Sequence, residues 1–275
     1  MKIDAHRHVW HRASGIYGWL PPHSMIDRDF DLDMPRPGRD AADGIILVQA
    51  AASEIDTGFM LDQARAHPGL VRGVVGWAPL DDVHAPATVA RLAAMPLIVG
   101  LRPMLQDIGD TDWILGDAVQ PALHAMTEAG LVLDLLVTAR HMNAMRVLAE
   151  RHPGLTMVLD HAGKPPLRNG DLAQWKDHIR DLSDHPAMNC KLSGLVTEAG
   201  DDWSVETLRP VIDHVLACFG PRRVMWGSDW PVVEMAGGYD AWRDASDALL
   251  ASVGGEARAA IEGGTAARAY RLAGR

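Results

Sequence analysis

Along the chain, short continuous apolar runs alternate with longer stretches of helical spacing. The apolar runs are Gly44–Ala50, Val71–Trp77, Leu97–Arg102, Leu131–Val137, Thr156–His161, Ala187–Leu192 and Arg223–Asp229. Runs of this kind mark strands buried on both faces, as in parallel sheets. A first strand over Ile3–His8 brings the expected number to eight. The spacing predicts helices over Gly58–Ala66, Ala85–Ala94, Ala118–Ala129, His141–Arg151, Leu172–Leu182 and Thr207–Phe219, then from Tyr239 and from Glu256. Gly130 closes one of these and Pro153-Gly154 another. Strand-helix alternation requires parallel strands, because each helix is the crossover. Eight such units close into a (β/α)8 TIM barrel, the expected α/β fold, as a single domain over residues 1–275. An open doubly wound sheet is disfavoured, since no Gly-rich phosphate turn follows the first strand.

One stretch breaks the rhythm. Trp10–Arg39 contains Pro21-Pro22, Pro35 and Pro37 and has no helical period. It reads as a long loop following the first strand. The alternative is a surface excursion of no consequence. With Tyr17 and Trp19 it is suited to cover part of a site.

Composition narrows the partners. The chain has 275 residues, 48% of them hydrophobic and 23% charged, as in a soluble globular protein. A net charge of −10 argues against nucleic acid, which needs clustered Lys and Arg. Cys190 and Cys218 are the only cysteines. They exclude a disulfide framework and fit a reducing compartment. No charged-then-apolar leader precedes Lys2, and no apolar run approaches the roughly 20 residues that cross a bilayer. The expectation is a soluble cytoplasmic protein with a small-molecule partner, no nucleic acid and no membrane; the oligomeric state is not legible.

Chemistry gathers where the strands end, because a parallel barrel carries its active site at their C-terminal ends. The first strand ends in His6-Arg7-His8. Alternation puts both imidazoles on one face, roughly 7 Å apart at their Cα atoms, able to grip one metal ion or one substrate. The plainer alternative is a polar strand end with each histidine satisfied by backbone. Glu54 lies beyond the second strand, Trp77 ends the third and Arg102 the fourth. Arg140 and His141 follow the fifth. The sixth gives Asp160 and His161 before Gly163-Lys164-Pro165. The seventh gives Lys191 and Ser193, and the eighth Ser228, Asp229 and Trp230.

Imidazole, carboxylate and cation from separate strands suit hydrolysis, which needs a group to activate water and groups to polarise a carbonyl. Asp229 is the natural base, with a helix N-cap before Trp230-Pro231 as its structural alternative. His161 is either a core histidine or a site residue. Arg102 and Lys191 each bind substrate or pair with a buried acid. Glu54 has an ordinary surface role as its alternative. Trp10, Trp77 and Trp230, at strand ends, are candidate substrate contacts; Trp113, Trp175, Trp203 and Trp242 read as packing.

These motifs together resemble the metal-dependent amidohydrolase superfamily, in its amidohydrolase 2 branch. Within it the chain is similar to the sugar-lactone and pyrone-lactone hydrolases of the fuconolactonase and rhamnonolactonase type. The likeness runs through Ile3–Trp10, Val48–Glu54, Val75–Leu80, Gly100–Asp107, Val158–Pro165, Lys191–Ala199 and Arg223–Val232. It is carried above all by His-x-His, Leu-Asp-His-Ala-Gly-Lys-Pro and Gly-Ser-Asp-Trp-Pro.

The resemblance implies a first-strand pair at His6 and His8, a sixth-strand histidine at His161, the proton-handling aspartate at Asp229 and a substrate-facing Arg102. It implies one divalent metal ion, zinc by expectation, on His6, His8 and Asp229, with Glu54 or His161 as fourth ligand. The chain departs from many members in lacking a histidine at the end of strand five, and His141 lies too far along to replace it. Some lactonases of this type work without metal. The reading is a hydrolase acting on the ring ester of a sugar-acid lactone. Its alternatives are a metal-dependent nonoxidative decarboxylase and a catalytically silent sugar-acid-binding barrel.

Overall fold

Eight parallel strands leave no open edge when the sheet they form curls on itself. In the computed structural model, which describes residues 1–168 and 171–272, that is what they do. The strands are β1 (Ile3–Arg7), β2 (Gly44–Val48), β3 (Val71–Gly76), β4 (Ile98–Leu101), β5 (Val132–Leu135), β6 (Met157–Leu159), β7 (Met188–Leu192) and β8 (Val224–Trp226). All neighbours pair in parallel and in sequence order, giving a nearly closed barrel. The helices are α1 (Glu54–Ala66), α2 (Ala85–Ala93), α3 (Gln120–Ala129), α4 (Met142–Arg151), α5 (Ala173–Ser183), α6 (Leu195–Ala199), α7 (Val205–Phe219), α8 (Gly238–Leu249), α9 (Gly255–Ala259) and α10 (Thr265–Ala269). Among the described residues, no helix is long and apolar enough to cross a membrane.

The strands alternate between two cores. Ile46, Val48, Val75, Val99, Val132, Val158 and Met225 fill the barrel interior, and Ala266, Ala269, Tyr270 and Leu272 plug its N-terminal end. Ile45, Leu47, Val74 and Leu133 face outward, in one core with Met60, Val89, Leu123, Leu148, Ile179 and Val215 of the helices.

Two differences from the sequence reading have local causes. Helix α1 begins at Glu54 rather than Gly58. The Ser53 hydroxyl accepts the Ile55 amide at 3.1 Å, and the buried Asp56 carboxylate accepts the Ala50 and Ala51 amides. These contacts satisfy donors at the helix start that would otherwise be orphaned. The β-ladders are also shorter than the apolar runs. Arg102, His161 and Asp229 lie beyond the last paired residues, where the chain leaves the sheet to build the mouth.

The first strand carries a bulge. Asp4 pairs with Ile45 and Arg7 with Leu47, so three steps on β1 match two on β2. A single extra residue switches the face on which later side chains fall. Ile3 and Ala5 point into the barrel below the bulge. His6 and His8 point into it above, while Arg7 turns outward between the rings of Trp230 and Tyr239. Beyond the ladders, β8 reaches β1 through two hydrogen bonds, from the Asp229 amide to the His6 carbonyl (2.9 Å) and from the His8 amide to the Trp230 carbonyl (2.8 Å).

Candidate active site

At the C-terminal mouth lies a cavity of about 200 Å³. His8, Arg102, His161 and Asp229 form its polar floor, and Trp19, Met104, Gln106, Asp107, Lys164, Thr197 and Glu198 are among its walls. His6 sits beneath, fully buried, with its Nε2 3.2 Å from His8 Nε2 and 3.4 Å from an Arg102 nitrogen.

The tautomer of His8 follows from its surroundings. Its Nδ1 is 2.7 Å from the Val48 carbonyl and donates there, so in the neutral ring Nε2 carries a lone pair. That lone pair faces Asp229 Oδ1 at 3.2 Å, and Asp229 Oδ1 is 3.6 Å from His6 Nε2. Acceptors facing one another at such distances call for an extra proton on an imidazole or a cation between them. The sides of this triangle, 3.2, 3.2 and 3.6 Å, are close to the roughly 3.3 Å edge of a tetrahedron with metal-ligand bonds of about 2.0–2.1 Å. His161 adds a further donor. One ligand atom each from His6, His161 and Asp229 lie within 4.8 Å of one another. This donor set fits a divalent metal ion.

Electrostatics favour the same use. Burial lowers the pKa of His6 well below its ordinary value and also lowers that of His161, keeping both rings neutral with lone pairs available. Burial pushes Asp229 up. A proton on any of the neighbouring rings of His161, His8 or His6 would favour the carboxylate, and these neighbours outweigh burial and hold the carboxyl well below the usual range. Asp229 is therefore an anion across the physiological range and a weak base, suited to accept a proton only from an acidified water.

The backbone is shaped around these groups. Asp229 and His161 both have positive φ, at 58° and 53°. Gly194, at φ 62°, passes so close that an added Cβ would lie 2.5 Å from His161 Nδ1 and 3.1 Å from Asp229 Oδ2. Ser193 fixes the other side of His161, its hydroxyl 2.9 Å from Nδ1. Arg102 is held by Asp160 at 3.0 Å and by the Gln49 carbonyl, while its buried Nε–H has no partner among the described residues.

The structure brings His6, His8, His161, Arg102 and Asp229 together, and the other candidate residues stand elsewhere. Lys191 does not face the cavity. It is fully buried below His6, its Nζ 2.5 Å from Asp134, 3.0 Å from Asp160 and 3.3 Å from His6 Nδ1, because position 191 of β7 points into the barrel interior. Trp10 is buried in the loop after β1, donating to the Arg28 carbonyl at 2.8 Å and packing on Phe30. Trp230 also packs on Phe30, and on Arg7. Trp77 lines a neighbouring cavity. Glu54, the possible fourth ligand, is exposed and paired with Arg91 on α2. His141 caps its own turn with Thr138 and does not line the cavity.

Sequence reasoning missed Asp134, whose carboxylate accepts the Tyr270 hydroxyl at 2.8 Å as well as Lys191. An acid inside the apolar run Leu131–Val137 was the signal, since a buried charge needs a partner. It also missed the cavity walls Gln106 and Asp107, in a single turn after β4, and Thr197 and Glu198, on the short helix α6. From the Trp10–Arg39 stretch, Trp19 lines the cavity, with its Nε1 2.7 Å from the Ala50 carbonyl. Tyr17 instead faces inward, onto Asp56 at 2.6 Å.

Comparison with known proteins places this geometry among relatives. Residues 3–272 match the family model described as "Amidohydrolase". The chain is similar to an L-fucono-1,5-lactonase of Burkholderia ambifaria, 41% identical over 98% of this chain and 96% of that protein. It is 35% identical to another of that name from Burkholderia multivorans, over 99% and 96%. A crystal structure of a Burkholderia multivorans amidohydrolase with bound zinc superimposes with a TM-score of 0.93, at 33% identity and 99% coverage of both chains.

Proposed function

The chain belongs to the amidohydrolase family, and within it we propose a hydrolase that opens the ring of a sugar-acid lactone. The observation that carries the reading is the convergence of Asp229, His6, His8, His161 and Arg102 on one cavity at the barrel mouth, in a chain 41% identical to a lactonase throughout. A 1,5-lactone of a six-carbon sugar acid is the finer expectation. Gln106, Asp107, Thr197 and the Lys164–Glu198 ion pair (3.2 Å) line the cavity with partners for its hydroxyls.

We assign His6, His8 and Asp229 as holders of one divalent ion, with His161 beside them, and zinc as its identity. When bound, such an ion makes water more acidic and polarises a carbonyl. Asp229 accepts a proton from the attacking water, and the water oxygen adds to the lactone carbonyl carbon. Arg102 and His161 line the cavity and receive the charge that develops on the carbonyl oxygen. Collapse of the tetrahedral species breaks the ring C–O bond, and the proton held by Asp229 passes to the departing hydroxyl. Lys191, Asp134 and Asp160 position His6 from below. The decarboxylase alternative has less support, because no strand-five histidine reaches the cavity.

A panel of aldonolactones with a pH indicator tests the assignment. Ring opening of at least one above its spontaneous rate is expected, with Asp229→Asn lowering kcat by about 10²–10⁴. Absence of turnover for every lactone would refute the function. Ligand binding that survives Asp229→Asn, in a chain without turnover, would identify a silent binding barrel.

A further inference from the structure

A second cavity, of about 480 Å³, opens beside the catalytic one on the same face of the barrel. It lies over the ends of β2, β3 and β4, whereas the catalytic groups come mainly from β1, β6 and β8. Trp19, Ala50, Met104 and Asp107 line both cavities, so the two meet along this shared wall. Their chemistry is opposite. The catalytic cavity has imidazoles, carboxylates and Arg102 and Lys164 in its lining. The second is walled by Ile16, Trp77, Leu80, Ile108 and Trp113 and floored by Ala50, Ala51 and Ala52. Among the described residues Asp81 and Asp107 are its only charged lining residues, and Asp81 accepts the Trp113 Nε1–H at 3.1 Å.

A lining of aliphatic side chains and indole rings repays the entry of apolar surface and offers few partners to hydroxyls. The catalytic cavity alone is below the roughly 300–1,000 Å³ usual for ligand sites, and the pair together falls inside that range. The geometry points to a substrate that occupies both: a lactone whose ring sits over Asp229 and whose alkyl or aryl substituent passes Trp19 and Met104 into the second cavity. This inference rests on the lactone-hydrolase reading and deepens it, naming an apolar-substituted lactone as a substrate class.

A homologous series of 1,5-lactones with growing alkyl chains on the ring carbon that bears the ester oxygen tests it. The readout is kcat/KM relative to the unsubstituted lactone, taken within each protein so that general losses cancel. The ratio is expected to rise about two- to fourfold per methylene until the cavity is filled. It is expected to fall back toward one in Trp77→Ala, which removes a wall, and in Ala52→Trp, which fills the space. A flat or falling ratio, with the unsubstituted lactone still turned over, overturns this inference and leaves the lactone-hydrolase reading intact. So does a disaccharide-acid lactone preferred over every alkyl member, which would make the compartment a sugar site. Absence of turnover for all lactones removes both readings.

Discussion

Lys191→Met is the substitution whose outcome the geometry specifies most fully. The ammonium is fully buried and lies 2.5 Å from Asp134 and 3.0 Å from Asp160, both fully buried themselves. Methionine keeps most of the volume and removes the charge. Two carboxylates are then left close together in the barrel interior. Asp160 keeps Arg102 at 3.0 Å and His6, whereas Asp134 keeps only the Tyr270 hydroxyl. Burial already raises Asp134 to about 6, against the pull of Lys191, so it is the group that takes up a proton. With the parent's carboxyl already at about 6, full neutralisation at pH 7 adds only about 1.4 kcal/mol to the deficit. Loss of one partner of a buried pair costs about 3–5 kcal/mol in general.

We expect a stability loss of about 3–4 kcal/mol in urea unfolding at pH 7, and a fall in Tm of roughly 6–16 °C. The sign with pH is also fixed. Native Lys191→Met carries one proton more than its unfolded chain, so its deficit against the parent shrinks as pH falls from 8 toward 6. It levels off below about 6, where the parent's Asp134 is protonated too. Adding Asp134→Asn should recover part of the loss. A deficit under about 1 kcal/mol that does not change with pH, together with a raised KM, would refute this account and return Lys191 to the substrate.

Other tests address the site and the loop that borders it. Gly194→Ala places a methyl group 2.5 Å from His161 Nδ1 at a φ of 62°, and should lower kcat by about 10²-fold while the fold survives by circular dichroism. Asp40 is pushed up by burial but drawn down to about 2 by Arg36 and Arg7. Its contribution is present above the unfolded pKa of 3.8 and is lost as pH falls toward 2, so about 2 kcal/mol of acid-labile stability should disappear from the pH profile of Asp40→Asn. Prolonged chelation should abolish activity and added zinc or manganese restore it, with about one metal per chain by elemental analysis and less in His8→Ala; full activity of metal-free protein would leave the histidines as hydrogen-bonding groups alone.

Eight strands were legible because most of the runs are apolar along their length and separated by helical spacing, the signature of parallel strands buried on both faces. His6, His8, His161, Arg102 and Asp229 were legible as charged or polar residues at the ends of such runs. The face on which a mid-strand group falls was not. Lys191 and Asp134 lie within strands, and their partnership joins residues far apart in the chain through the barrel interior. The β1 bulge belongs to the same class: it depends on pairing with β2, and nothing in Ile3–His8 itself announces it. Tryptophans were misplaced for a related reason. Trp10 and Trp230 adjoin site residues in sequence but turn away to pack on Phe30, while Trp19, well inside an irregular segment, reaches the cavity.

The meeting of β1 and β8 gives the enzyme a timetable. The backbone bonds that close the barrel run between His6 and Asp229 and between His8 and Trp230, more than 220 residues apart, and they hold three residues whose side chains make the site, His6, His8 and Asp229. Partial folding cannot yield a partial enzyme: a growing chain has no base opposite its first histidines until the eighth strand has been made and docked. Contacts of such long range carry the largest loop-closure cost and form late. Activity regained during refolding should therefore lag behind the return of helical signal and mark the moment when the two ends of the sheet join.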